Sequence, residues 1–180
     1  ILFKTYIIMT SAIYYESDAY TVGDNKIMGR KVAGNSFLKA YFKYSSSSKL
    51  SVYPLSSDDL LSFKNQAKIH NRNEPVECIT NCSLSKLNDI GTLFTPGPGL
   101  SKFAYERSYY CHDSWSLCGI THTTSSSNAM DCISSLITAP VQPWDALICT
   151  SNAVKSNVEK LLSYQFSFLK QHLGADKFSQ

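Results

Sequence analysis

The chain has 180 residues, enough for one domain with a substantial core, and 43% hydrophobic against 17% charged residues is the balance of an ordinary globular protein. A net charge of +3 with scattered lysines gives no argument for nucleic acid, and none is expected as a partner; the best short basic cluster is Gly29-Arg30-Lys31. No apolar run reaches the roughly 18 residues that a membrane span needs.

In chain order, Phe3 to Thr10 reads as a buried first strand. A buried strand explains it better than a signal sequence, which it superficially resembles, because Lys4 sits inside the apolar run and no basic segment precedes it. Ser11 to Val32, with mixed acidic and aromatic residues and two glycines, reads as a long loop. Ala33 to Tyr44 predicts a helix from the spacing of Phe37, Leu38, Tyr41 and Phe42. After the Ser45–Ser48 break, Lys49 to Leu55 predicts a strand, and Ser56-Ser57-Asp58-Asp59 starts a helix before Leu60, Leu61 and Phe63.

Asn71 to Pro75 breaks the chain, Val76 to Thr80 is a short strand, and Ile90 to Thr95 is another, closed by Pro96-Gly97-Pro98-Gly99. Ser101 to Tyr110 suits a helix. Trp115 to Ile120 is a strand followed by a helix near Asn128 to Leu136. Trp144 to Cys149 is a last buried strand, and Asn152 to Leu173 a helix with Val154, Val158, Leu161 and Leu162 on one face. Strands alternating with helices give an α/β fold with a parallel sheet.

Such sheets bind ligands outside the carboxyl ends of their strands. His122, within Thr121-His122-Thr123, is the one histidine at such a place, where it can donate to a phosphate or carbonyl oxygen or carry a proton. His70, His112 and His172 read as structural. Gly29 and Gly34 flank the start of the first helix, where a glycine lets backbone N–H groups approach a phosphate. The segment is neither a P-loop nor Gly-x-Gly-x-x-Gly.

No Ser-His-Asp set assembles, and no metal-ligand constellation stands out. Asp145 lies at a strand start and reads as a structural turn residue. Glu106 and Arg107 read as helix surface, Asp113 as a capping group and Asp131 as a first-turn carboxylate. The six cysteines contain no C-x-x-C pair and read as reduced thiols of an intracellular protein, with Cys118 and Cys149 in buried strands. The eleven tyrosines, mostly in apolar runs, are expected to pack.

Four segments, Met28–Lys39, Leu93–Gly99, Leu117–Ser125 and Trp144–Val154, together resemble the N-terminal half of a retaining glycosyltransferase of the glycogen-synthase-like GT-B fold. The resemblance runs in order over residues 3 to 173. It implies a Rossmann-like parallel sheet with helices on both faces, residues 1–180 forming a single acceptor-side domain. It also implies a separate C-terminal domain that binds a nucleotide-diphosphate sugar and faces an alcohol acceptor across a cleft. The family's glycine-rich loop maps to Gly34, less securely to Gly29, with Asn35 where the family often has a second glycine. The family's strand-end histidine maps to His122, between Thr121 and Thr123, and would hydrogen-bond the transferred sugar. Ser151 maps to a strand-end serine that caps the following helix.

The donor domain's Arg/Lys pair and Glu-rich motif have no counterpart here. The chain is therefore expected to be the N-terminal piece of a cytoplasmic transferase, inactive alone, with no further cofactor. The competing readings are a stand-alone Rossmann-like ligand-binding or regulatory module and a small dehydrogenase. The missing Gly-x-Gly-x-x-Gly and ribose-binding acid count against the second.

Overall fold

The computed structural model describes residues 10–21, 29–121 and 123–175. Among the described residues six strands form one sheet in the order β3-β2-β1-β4-β5-β6, every pair parallel. They are β1 (Ala12–Tyr15), β2 (Leu50–Pro54), β3 (Val76–Cys78), β4 (Thr92–Thr95), β5 (Ser116–Thr121) and β6 (Ala146–Cys149). The helices are α1 (Ser17–Tyr20), α2 (Gly29–Tyr44), α3 (Ser57–Ile69), α4 (Leu87–Ile90), α5 (Leu100–Ser108), α6 (Ser127–Ser134) and α7 (Asn152–Leu173). This is a Rossmann-like α/β fold. No helix among the described residues is long and apolar enough to cross a membrane.

The period-2 alternation of a strand decides which core each residue joins. Ala12, Leu93 and Leu117 face one cluster with Leu87, Phe103 and Trp115; Ile13, Phe94 and Cys118 face the other with Leu38, Phe42 and Phe63. Helices α2 and α3 cover the second face, and α4 and α5 the first. Central strands covered on both sides are buried along their length, as β2 is from Leu50 to Tyr53. Three helices start on serine caps, Ser56, Ser126 and Ser151, each accepting from the backbone N–H three residues on.

The structure has every element that the sequence puts after residue 33, within a few residues, and adds the helical stretch from Asn81 to Ile90 that ends in α4, for which the sequence reading had no element. It corrects the long loop. Residues 12–15 are the central strand β1, and α2 starts at Gly29. A four-residue strand buried on both faces shows no alternation for the sequence to reveal. The expected strand Phe3–Thr10 lies outside the described residues except Thr10, which is irregular and donates to Ile90 O. The last strand begins at Ala146 and is an exposed edge, with Trp144 and Ile148 each somewhat under half exposed.

A second correction concerns Arg107, which is fully buried instead of on the helix surface. Its guanidinium forms a two-pronged pair with Asp145, both N–O distances 2.7 Å, and donates to Trp115 O and Pro140 O. Asp145 also accepts from the backbone N–H groups of Leu117 and Gln142, each at 2.8 Å. Removing one partner of a buried pair leaves an uncompensated charge. Asp145→Asn, which keeps the shape and deletes the charge, is expected to cost about 3–5 kcal/mol of stability. Urea midpoints check this, and a loss under about 1 kcal/mol would refute the pair's structural role.

Candidate functional site

The chain passes from β1 to β2 on one side and returns from β3 to β4 on the other, so strand order reverses between β1 and β4. Loops diverge there and leave a crevice outside the carboxyl ends of the strands. A cavity of about 290 Å3 occupies that position. Its walls are the end of β1 with Tyr14 and Glu16, the 95–99 loop, Lys102 of α5, and Thr123, Ser126 and Asn128 beyond β5.

One wall is the 95–99 loop, whose backbone lies against β5. Thr95 stands in register with Gly119 of β5, and a Cβ on Gly119 would lie 2.7 Å from Gly97 O and 2.9 Å from Leu100 Cδ2. Only glycine at 119 lets the Pro96–Gly99 loop lie against the strand. Thr95 Oγ1 donates to Gly97 O at 3.0 Å and ties the loop down. Two prolines fix φ within it.

Glu16 is held at the rim by the turn into α1. The Asp59 carboxylate accepts from Ser17 N–H at 2.7 Å and from Ser56 Oγ at 2.6 Å, joining the β1 end to the α3 start. Burial pushes the Asp59 carboxyl up. The hydrogen bonds from Ser56 and Ser17 together outweigh it and hold the pKa below the ordinary aspartate value. Tyr14 is raised by burial and then by the negative charges of Glu16 and Glu106, so its hydroxyl stays a proton donor. Lys102 Nζ lies 5.5 Å from the centre of the Tyr14 ring and 3.8 Å from Glu106 Oε1.

The sequence-derived candidates separate into two groups. Thr121 and Thr123 are at the crevice end of β5: Thr123 lines the cavity, and buried Thr121 donates through Oγ1 to Thr123 O at 3.2 Å. Thr121 O in turn accepts from Thr150 Oγ1 at 3.2 Å, linking the ends of β5 and β6. His122 lies outside the described residues. Gly29 opens α2, and a Cβ there would meet nothing within 4 Å, whereas Gly34 sits inside α2 against α1. A Cβ there would lie 2.0 Å from Ala19 O, so helix contact accounts for this glycine. Asn35 donates from Nδ2 to Tyr20 O at 3.0 Å, serving the same α1–α2 contact.

Tyr14, Glu16 and Lys102 escaped the sequence reading. The first two fell in the segment read as loop; the signal available was an apolar Ala-Ile-Tyr-Tyr run followed by a carboxylate and a small helix start. Among the described residues no three His, Cys, Asp or Glu side chains gather as a metal site. Comparison with protein-family models, with curated proteins and with solved structures found no match.

Two expectations follow from this geometry. Gly34→Ala is expected to cost about 1–3 kcal/mol by overpacking α1 against α2, while Gly29→Ala stays within about 0.5 kcal/mol. Equal denaturation midpoints for the two variants would remove the packing role of Gly34. The second expectation concerns acid. Because the Asp59 pKa is depressed on folding, its stabilisation is present above the ordinary value of about 3.9 and is lost as pH falls through the folded value. Thermal melts between pH 6 and pH 2 should show Asp59→Asn less sensitive to acid than the parent chain; parallel curves would disprove the linkage.

Proposed function

We propose that this domain is the acceptor-side half of a retaining, nucleotide-sugar-dependent glycosyltransferase. The observation that carries the reading is convergence: three of the four resembling segments meet at one end of the sheet. Leu93–Gly99 and Leu117–Ser125 contribute walls of the crevice, and Trp144–Val154 joins them through the Thr150–Thr121 hydrogen bond. An alcohol in the crevice meets hydroxyl, amide and backbone groups and one carboxylate, Glu16. These suit a ligand recognised by its own hydroxyls.

In the proposed reaction an acceptor hydroxyl oxygen bonds to the sugar's anomeric carbon as the bond from that carbon to the diphosphate oxygen breaks. The hydroxyl proton leaves with the departing phosphate. Positioning and charge stabilisation dominate over covalent chemistry. The resemblance assigns His122 to the transferred sugar, and a second α/β domain supplies the nucleotide site. The six free thiols agree with a reducing compartment such as the cytoplasm.

The test is a transfer assay with nucleotide sugars and alcohols, for the domain alone and joined to its donor domain. Transfer with retained configuration is expected only for the joined form, and His122→Ala should lower its kcat by about 10²–10³. Tight binding of a small ligand with no transfer by either form would replace this reading with a stand-alone binding module.

A further inference from the structure

A second cavity, of about 450 Å3, lies beside the crevice, over the carboxyl ends of β1, β2 and β3 and the start of α3. Tyr14 and Lys102 line both cavities and form the partition between them. We infer that the two cavities are consecutive subsites for one neutral saccharide chain, a disaccharide or longer, with Tyr14 as the platform at the junction. The inference deepens the transferase reading, because it names the class of acceptor.

Charge is the first argument. Among the described residues Lys102 is the one charged side chain on the wall of the second cavity. Its ammonium is already engaged, 3.8 Å from Glu106 Oε1 and over the faces of Tyr14 and Phe103 at 5.5 and 5.4 Å. An anionic ligand such as a nucleoside diphosphate would have to compete with Glu106 for it. The remaining polar groups are neutral, chiefly Ser57, Thr80 and Asn81. The Tyr53 hydroxyl donates to Asn81 Oδ1 and holds that amide at the wall.

Shape is the second. Tyr14 stands in register with Tyr53 on the neighbouring strand, and their rings meet edge to face at 5.5 Å and 79°. Phe103 supports Tyr14 from another side at 4.8 Å. The junction is therefore a fixed aromatic surface with hydroxyl and amide groups on either side. A pyranose has one apolar C–H face and a rim of hydroxyls, and it matches both features at once. A single sugar fills one cavity and leaves the other to water.

The test is calorimetric titration of the protein with glucose, galactose and mannose and with maltose, cellobiose, lactose and mannobiose. At least one disaccharide is expected to bind about tenfold tighter than its monosaccharide. Ser57→Trp and, independently, Leu55→Trp, both at exposed positions lining the second cavity, should abolish that gain and bring the disaccharide to the affinity of its monosaccharide. Equal affinities for one and two units, survival of the gain in both variants, displacement by a nucleoside diphosphate, or no binding at about 10 mM would each overturn the inference. Transfer to monosaccharides without length dependence would remove it while leaving the transferase reading. Length-dependent binding without transfer would do the reverse.

Discussion

The Arg107–Asp145 pair is the constraint on which the amino-terminal side of the sheet depends. A guanidinium and a carboxylate removed from water are costly unless their hydrogen-bonding groups are taken up, and here both oxygens and both terminal nitrogens are shared with backbone. Through Asp145 the turn before β6 is tied to the first bonds of β5, and through Arg107 both are tied to α5. The same helix begins at the crevice and carries Lys102 there. The rigid pair at one end of α5 thus fixes where its other end stands.

Position on the crevice side rests on smaller devices. The α1–α2 contact is made close by Gly34 and stitched by Asn35, and Asp59 ties the turn after β1 to α3. These contacts aim Glu16 and Tyr14. The division is that of many parallel α/β proteins, in which the amino ends of the strands hold the fold and the carboxyl ends meet the ligand.

Most of the fold was legible because most elements announce themselves locally. Asn152–Leu173 has a serine cap, an apolar stripe and a following glycine, and the helix occupies those residues. β1 did not, since it is short and buried on both faces, and the loop reading of residues 11–32 followed from composition. Arg107 was misread because one arginine in a helix says nothing of a carboxylate 38 residues away. The crevice was legible in part. The strand-end rule located Thr121 and Thr123, but it could not supply Tyr14, Glu16 or Lys102, which belong to the site only through the order of the strands. Gly34 shows the opposite difficulty: a glycine at a helix start has the same letter whether it approaches an anion or another helix.

The contact of Gly119 with Gly97 bears on how the crevice responds to a ligand. A loop wall of this kind, pinned by a threonine and two prolines, has almost no rotamers to give up when something settles on it. Ordering entropy, which opposes binding wherever long side chains must be immobilised, is largely absent from that surface before the ligand arrives. The selectivity of the crevice then falls to the side chains of its other walls, Tyr14, Lys102 and Phe103 among them, and the loop acts as a fixed plane against which they are measured.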